Sequence, residues 1–301
     1  MLRPAAAVCC TVLLLSAKDG AFGSTKPVTL TFTPCGGMIC IPVTLADGRN
    51  HLLLLDTGNV NSWLSVDTAK TLNIKLEPIE QNGRALPGLF RLGAQTVKLE
   101  GRAFSGRFLG LAPEQTGELP PNVEGALAYT LFKDQILQID YPHLTVRILG
   151  GQPAGLTAGA SALKLITFGK EGPPIVVGSG FSVNGKSLNA QIDTCYTGTL
   201  LVYDQAIEGL GLKGAAARKG QPKYFPYTDG GVNMNEAAAE SVAFGPYALA
   251  REPAIIYFPG TGGNPVHQPD GLFEATVGNA LFAHSVLTLD FHAMKLSVQP
   301  G

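Results

Sequence analysis

The stretch Leu-Leu-Leu-Leu-Asp-Thr-Gly, residues 52–58, decides the fold. Four consecutive leucines are typical of a buried strand, and a carboxylate at the end of such a strand is costly unless it is stabilised. A chain that places Asp56 there commonly uses the perturbed carboxyl group for chemistry. Because Asp-Thr-Gly is also a common turn after a strand, a single copy would leave a purely structural interpretation open.

A second copy follows 137 residues later, where Ala-Gln-Ile-Asp-Thr-Cys occupies residues 190–195. The chain also repeats itself after each copy. An apolar pair and then an aspartate follow Asp56 within residues 63–67, and the same residue types follow Asp193 at the same offsets within residues 200–204. The two aspartates therefore belong to an internal repeat, which indicates the architecture more strongly than any local pattern.

The repeat has a second anchor near the end of each half. Ala-Leu-Ala-Tyr-Thr-Leu-Phe at residues 126–132 matches Thr-Val-Gly-Asn-Ala-Leu-Phe at residues 276–282, so that Ala128 and Gly278 are 150 residues apart. Each segment leads into a closing strand that ends in Asp-aromatic, at Asp140-Tyr141 and Asp290-Phe291.

These paired loops, each with an apolar-apolar-Gly segment and a short helix downstream, resemble the aspartic peptidases of the pepsin and retropepsin type. The closing strands are similar to those of bacterial retropepsin-like proteins with two lobes fused in one chain. The resemblance covers roughly residues 27–299 and implies an all-β, two-lobed acid-protease β-barrel fold with a few short helices. We place the lobes at residues 24–150 and 151–301, because residues 150–155 have the composition of a linker.

The resemblance implies that Asp56 and Asp193 meet at a pseudo-twofold axis and are the catalytic pair. Two carboxyls that share one site cannot both ionise easily, so the pair holds a single proton; aspartic proteases are the standard example. The ionised partner would activate water and the protonated one would donate to the peptide carbonyl. By resemblance, Thr57 and Thr194 brace the two loops against each other, and Gly58 allows close backbone approach.

The sequence also departs from the family pattern. Cys195 stands where the second loop should have glycine, and Ala128 stands where the first apolar-apolar-Gly segment should have its glycine. An alanine there fits if its φ is negative, whereas a cysteine beside the dyad predicts about 1–3 kcal/mol of overpacking if nothing moves. Asn59 and Tyr196 replace the small or hydroxyl residue that often follows.

Further elements are expected around the cleft. Residues 65–72 and 204–211 are predicted to form short helices, the first with Ser65 as N-cap. Asn82-Gly83 predicts a hairpin tip, which in the family closes over the substrate as a flap. Tyr224 and Tyr227 lie in an aromatic, glycine-tipped segment where the second hairpin is expected, and either tyrosine is a candidate for lining the cleft.

Composition restricts the possible partners. The 301 residues include 37 glycines and 21 prolines with 15% charged residues, as is common in many-stranded β proteins, and the net charge of −1 gives no reason to expect nucleic acid. The five histidines show no metal-binding spacing. We therefore expect no metal and no cofactor, a polypeptide substrate, and a monomer with an internal pseudo-twofold axis.

The first residues have the features of a secretory signal. Arg3 precedes an apolar core at residues 5–15, and small residues follow, with cleavage expected after Gly23 or Ala17. The apolar run is too short to span a bilayer. We therefore predict a signal peptide at residues 1–23, export to the periplasm or the exterior, and no stable membrane insertion after cleavage.

Two cysteines of the exported chain flank a predicted hairpin tip. Cys35 and Cys40 could form a disulfide across it in an oxidising compartment, while Cys195 is left over. We interpret Cys195 as a small buried hydrophobe and not as a nucleophile.

Three functions remain compatible with the sequence. The first is an aspartic endopeptidase that uses Asp56 and Asp193. The second is a catalytically impaired, pepsin-like peptide-binding protein, which Cys195 and Ala128 would favour. The third is a secreted, self-associating β scaffold, which would account for the composition but not for the repeated Asp-Thr loops.

Overall fold

The protein is built almost entirely of β-strands. The computed structural model describes residues 26–116, 119–150, 159–167, 174–212, 218–219, 235–251, 254–257 and 273–301. The all-β expectation is confirmed for this part of the chain. The predicted signal peptide and lobe boundary lie outside the described residues, as do Tyr224 and Tyr227.

The first half contains eleven strands: β1 Val28–Thr31, β2 Thr33–Cys35, β3 Met38–Thr44, β4 Asn50–Asp56, β5 Ser62–Ser65, β6 Glu77–Gln81, β7 Arg84–Leu99, β8 Arg102–Leu111, β9 Val123–Ala128, β10 Ile136–Asp140 and β11 Thr145–Leu149. Its helices are short: α1 Val66–Thr71, α2 Pro113–Thr116 and a 3₁₀ helix at Tyr129–Phe132.

The strands of the second half are β12 Ser161–Thr167, β13 Pro174–Val183, β14 Lys186–Ile192, β15 Leu200–Val202, β16 Arg218–Lys219, β17 Asn235–Ala238, β18 Ser241–Phe244, β19 Tyr247–Arg251, β20 Ala254–Tyr257, β21 Ala275–Val277, β22 Ser285–Asp290 and β23 Lys295–Pro300. Its helices within the described residues are α3 Asp204–Ile207 and a 3₁₀ helix at Asn279–Phe282. None of the helices in the described residues is both long enough and apolar enough to span a membrane.

Local sequence explains several of these elements. Leu53, Leu54 and Leu55 are almost fully buried, because β4 lies between β3 and β9 and has no solvent-facing side at its end. Ser65 caps α1 as predicted, since its hydroxyl accepts from the Thr68 amide at 3.1 Å.

Two turns show where glycine and asparagine decide the chain path. Asn82 and Gly83 have φ values of +53° and +72°, so they form the predicted tight hairpin between β6 and β7. The helix predicted at residues 204–211 is shorter than expected and ends at Ile207. Helical hydrogen bonding continues to Leu210, and the chain turns at Gly211, which adopts φ +73° while the Leu212 amide donates to Ile207 O.

The strand pairings repeat between the two halves. In the first half β4 pairs parallel with β9, and β5 pairs antiparallel with β9 and parallel with β8. In the second half β14 pairs parallel with β21, and β15 pairs antiparallel with β21 and parallel with β20. Both aspartates therefore follow a strand that lies in the same topological position, as the sequence repeat predicted.

A sheet in the order β1-β11-β10-β22-β23-β12 joins the two halves. In its middle, β10 and β22 pair antiparallel, with Gln138 directly opposite Thr288. These two residues are also equivalent in the repeat, since they are 150 residues apart, and the Gln138 Nε2 group donates to Thr288 Oγ1 at 3.2 Å. Because equivalent residues pair with each other, the pseudo-twofold axis passes between them.

Candidate active site

The two Asp-Thr loops meet between the halves through their threonines. The amide of Thr57 donates to Thr194 Oγ1 at 3.0 Å, and the amide of Thr194 donates to Thr57 Oγ1 at 3.1 Å. Each hydroxyl then donates to a carbonyl in the other half, Thr57 to Ile192 O at 2.9 Å and Thr194 to Leu55 O at 2.5 Å. Four buried hydrogen bonds thus hold the loops in a fixed, nearly symmetric arrangement.

This arrangement brings the two aspartates together. Asp56 is 3% exposed, and its Oδ1 accepts from the Gly58 amide at 3.0 Å. Asp193 is half-buried, and its Oδ1 accepts from the amides of Cys195 at 2.8 Å and Tyr196 at 3.2 Å. The loops therefore orient both carboxyls, but Asp193 has one more backbone donor than Asp56.

Gly58 allows the close approach of the carboxyls. A Cβ atom at residue 58 would lie 2.3 Å from Cγ of Asp193, a distance that no real side chain tolerates. The Gln191 amide side chain also donates to Gly58 O at 3.2 Å and fixes this backbone from the second half. Glycine is needed here because the Asp193 carboxyl occupies the space of a side chain.

Cys195 breaks the symmetry at the equivalent position in the second loop. Its side chain is 5% exposed and packs in an apolar cluster with Met38, Leu54 and Trp63. Its Sγ lies 3.9 Å from Leu55 O, to which the thiol donates, and within 4.8 Å of the Asp56 carboxyl. The predicted burial of Cys195 is confirmed, and its thiol lies beside the dyad.

Ligand atoms of Asp56, Asp193 and Cys195 lie within 4.8 Å of one another, and no other group of three or more such residues in the described part of the chain is as close. Such spacing would suit a cation as well as a shared proton. In each carboxyl the loop N–H groups donate to Oδ1, and the expectation that the site holds no metal stays a prediction.

Burial dominates the electrostatics of the pair. Burial first, and then the charge of Asp193, raises the pKa of Asp56 to about 8, against smaller lowering effects from Gly58, Cys195 and Asn59. Burial also raises the pKa of Asp193, while the Cys195 and Tyr196 amides favour its ionised form. Burial, together with the two carboxylates, raises the pKa of the Cys195 thiol well above its ordinary value. Burial and the neighbouring charge both favour the neutral form of Asp56, and burial favours the neutral thiol at Cys195.

The structure accommodates the alanine that replaces the first-half glycine. Ala128 has φ −78°, is fully buried, and donates its amide to Ser62 Oγ at 3.0 Å. Glycine is required at the equivalent Gly278, where a Cβ atom would lie 2.3 Å from Tyr196 O. The sequence analysis expected an alanine to fit at residue 128 if its φ is negative, and the structure has a negative φ there.

Of the remaining candidate residues, Tyr224 and Tyr227 lie outside the described residues, and the other two lie at a hairpin tip. Asn82 and Gly83 are exposed at the tip of the β6–β7 hairpin, and a Cβ on Gly83 would meet nothing within 4 Å. The hairpin is present, but its role as a flap stays a prediction.

Two residues that contact the dyad loops were missed by the sequence analysis. The Asn59 side chain lowers the pKa of Asp56 slightly, although its sequence position had indicated only a departure from the family pattern. Asn279 donates its side-chain amide to Thr194 O. Its position directly after Gly278 could have marked Asn279 as a candidate, but the sequence does not show that it contacts Thr194.

A cavity of about 280 Å³ lies behind this region. Its lining is mostly apolar and includes Met38 and Tyr141 from the first half and Thr197 and Asn279 from the second. Neither aspartate lines it, so we do not assign it as the substrate cleft.

Comparisons with known proteins show the fold. No family model and no curated protein matches this chain. Among solved structures, basic 7S globulin from soybean has a TM-score of 0.52 at 11% identity, covering 92% of this chain and 95% of that one. An aspartic proteinase from Irpex lacteus has a TM-score of 0.52 at 12% identity, covering 91% and 97%. Conglutin gamma, a basic 7S globulin from lupine seeds, has a TM-score of 0.51 at 12% identity, covering 92% and 96%.

The chain has a pepsin-like fold. At these identities the likeness is evidence of the fold alone, and the similar proteins include both a proteinase and seed globulins. The closer resemblance to bacterial two-lobed proteins stays a prediction.

Proposed function

We propose that the protein is an aspartic endopeptidase, which hydrolyses peptide bonds with water activated between Asp56 and Asp193. The observation that carries the proposal is the pairing of the two loops: four reciprocal hydrogen bonds hold the carboxyls together, with Gly58 directly against Asp193. Placing two carboxyls in one buried site is costly, and the shared proton that results is what this chemistry needs.

The environments of the carboxyls assign their roles. We assign Asp56 as the general acid, because it is the more buried carboxyl and the charge of Asp193 adds to the burial that raises its pKa. Asp193 accepts two backbone N–H groups that stabilise its ionised form, so it is the general base. The two carboxyls differ because the backbone amides of residues 195 and 196 both donate to Asp193, whereas Asp56 accepts from the backbone amide of Gly58.

The reaction then needs no group beyond the dyad and one water molecule. Asp193 takes a proton from water as the oxygen attacks the carbonyl carbon, and Asp56 donates its proton to the carbonyl oxygen, which gives a neutral gem-diol. The carbon–nitrogen bond breaks as Asp193 passes its proton to the amine, and Asp56 recovers a proton from a gem-diol hydroxyl. The dyad returns to its starting protonation state.

Cleavage of an unstructured polypeptide tests the proposal. Purified protein, Asp56→Asn and Asp193→Asn are incubated with casein between about pH 3 and 8, and Asp67→Asn, an exposed aspartate in α1, serves as the matched control. We expect each dyad variant to lose about 10³-fold or more of the activity, while Asp67→Asn keeps it. Equal activity in all four proteins would point to a contaminating protease and contradict the proposal.

A second candidate function is peptide binding without cleavage. The observation that favours it is the Cys195 side chain, which lies beside Asp56 at the position where the first loop has Gly58 and no side chain. A folded protein that binds casein peptides in a titration without cleaving them, and that gains cleavage when Cys195→Gly is introduced, would establish this alternative.

The proposal includes export and a polypeptide substrate. The signal-like residues 1–23 support export, and so does the disulfide between Cys35 and Cys40, a bond that persists in oxidising compartments. N-terminal sequencing of the secreted or periplasmic protein tests this part, and an intact Met1 would contradict it.

A further inference from the structure

Asn279 is a buried residue in the second half that contacts both halves of the molecule. It begins the 3₁₀ helix after β21 and is 6% exposed. The sequence analysis assigned it no role, and the proposed mechanism does not use it. All of the hydrogen-bonding groups of its side chain are nevertheless directed toward partners around the second dyad loop.

Asn279 donates to two carbonyls of that loop, one on each side of Cys195. The side-chain Nδ2 donates to Thr194 O at 2.5 Å, and the backbone amide donates to Tyr196 O at 2.9 Å. The Thr194 carbonyl and the Cys195 amide belong to one peptide group. Because the Cys195 amide donates to Asp193 Oδ1 at 2.8 Å, Asn279 is connected to Asp193 through a single peptide plane.

The other contacts of the amide come from the first half. Its Nδ2 also donates to Gly37 O at 3.1 Å, at the hairpin tip that the Cys35–Cys40 disulfide closes. Its Oδ1 accepts from the hydroxyl of Tyr141 at 2.7 Å, and Tyr141 is itself buried and stacked on Phe282. The amide is therefore held from two sides, which fixes the direction of its donor group.

The first half has no equivalent of this arrangement. The repeat places Tyr129 at the position of Asn279, and the Tyr129 hydroxyl donates instead to Pro174 O at 3.0 Å. The carbonyl of Val60 in the first loop accepts from the Thr130 hydroxyl at 2.8 Å. Asn279 thus holds the second loop, which carries the extra Cys195 side chain, at Thr194 O, whereas the amide side chain of Gln191 holds the first loop one residue further on, at Gly58 O.

We propose that Asn279 is a positioning residue for the endopeptidase: it holds the Thr194–Cys195 peptide group so that the Cys195 amide stays directed at the Asp193 carboxyl. The expected effect on kcat rests on the proposed function. The hydrogen bonds of Asn279 do not depend on that proposal. Asn279 touches neither carboxyl and acts only through this peptide group and through its anchors at Gly37 and Tyr141.

Kinetics test the consequence for catalysis. Asn279→Asp keeps the size and the acceptor for Tyr141 but removes the amide donor, and Asn279→Ala removes both. We expect kcat to fall by about tenfold to a hundredfold in each variant, as when a catalytic group is displaced, with KM changed by less than about threefold because no substrate contact is lost. Asn50→Asp, at an exposed residue at the start of β4, is the matched control: it makes the same amide-to-carboxyl change at the surface, keeps the acceptor for the Thr44 hydroxyl, and should lower kcat by no more than about twofold.

The reactivity of Cys195 tests the arrangement without any proteolysis. The protein is labelled with N-ethylmaleimide, and modification of the Cys195 peptide is followed by mass spectrometry. We expect labelling to become about tenfold faster in Asn279→Ala and Asn279→Asp, because the Thr194 carbonyl beside the thiol loses its side-chain donor, and to stay within about twofold in Asn50→Asp. If Asn279→Ala does not fold, the labelling rate of Cys195 in the isosteric Asn279→Asp variant tests the proposal.

The two proposals fail in different ways. Unchanged Cys195 labelling and unchanged kcat in a folded Asn279 variant would overturn the positioning role while leaving the endopeptidase intact. Faster labelling in a protein that never cleaves casein would support the positioning of the loop and refute the endopeptidase. A rise in KM with constant kcat would also overturn the positioning role, because it would assign Asn279 to substrate binding.

Discussion

Residues 58 and 195 are equivalent positions in the two dyad loops, but only position 195 has room for a side chain. At Gly58 the opposing carboxyl fills the space of a side chain, whereas Cys195 fits because its thiol lies against Leu55 O and the Asp56 carboxyl. The overpacking predicted for a cysteine at this position is thus relieved by directing the side chain into the apolar cluster around Trp63. One loop of the pair needs glycine, and the other does not.

This difference predicts the effect of an added methyl group. Gly58→Ala should lower the free energy of unfolding by about 1–3 kcal/mol and abolish casein cleavage, because the new Cβ would lie 2.3 Å from Cγ of Asp193. Urea unfolding and the cleavage assay measure the two effects. Gly209→Ala is the matched control, since its Cβ would lie 3.4 Å from Ala206 O in ordinary contact. A Gly58→Ala variant with normal activity would mean that the carboxyls are not held as closely as described.

At the scale of elements, β4 is fixed at its start as well as at its end. His51 lies near the beginning of β4, where its Nδ1 is hydrogen-bonded to Glu124 Oε2 of β9 and its Nε2 to Asp47 Oδ1 of the preceding turn at 3.1 Å. Burial alone would lower the pKa of His51, but the hydrogen bonds and charges of Glu124 and Asp47 outweigh it and raise the pKa. The strand that carries Asp56 is therefore tied to β9 by a titratable side chain.

The raised pKa of His51 sets a pH dependence of stability. Its contribution is complete below the unfolded-state pKa of 6.5 and is lost as the pH rises through the higher folded-state pKa. We expect His51→Gln to lower the free energy of unfolding by up to about 1 kcal/mol below pH 6.5, and the difference from the unmodified protein to shrink above the folded pKa. Urea unfolding across this range measures it. A difference that is constant with pH would show that His51 is not charged in the folded state.

At the scale of the whole molecule, the two halves share a sheet through β10 and β22 and share the dyad, around the same axis. Gln138 and Thr288 pair at the axis in the sheet, and Thr57 and Thr194 pair at the axis in the loops. Docking the halves brings together two carboxyls that are fully hydrated in the unfolded chain. Folding therefore places an ionisable pair under strain that neither half has alone.

This cost should make the protein less stable as the pH rises. The pKa of Asp56 is raised from 3.8 to about 8, so the folded state is favoured below the unfolded value and loses stability as the pH rises through the folded value. We expect the free energy of unfolding to fall by an amount on the order of a few kcal/mol between about pH 4 and 8. Asp56→Asn should remove most of this slope and be more stable than the unmodified protein at pH 8.

Urea unfolding of both proteins at several pH values provides the measurement, with the exposed Asp67→Asn as the control that should keep the slope. Since the contribution of His51 also falls above pH 6.5, the comparison is made in a His51→Gln background as well. An Asp56→Asn variant with an unchanged slope would show that the dyad carries no strain.

The sequence by itself determined the all-β class, the internal repeat, and the two Asp-Thr loops with their glycine and cysteine, because apolar strands and turn residues are encoded over a few neighbouring positions. It also identified the capped helix α1 and the Asn82-Gly83 hairpin for the same reason. Only the tertiary structure decided which carboxyl is the more buried and which residues hold the loops. The burial of Asp56 and the partners of Asn279 arise when segments up to 242 residues apart come into contact, and no local pattern in the chain records those contacts.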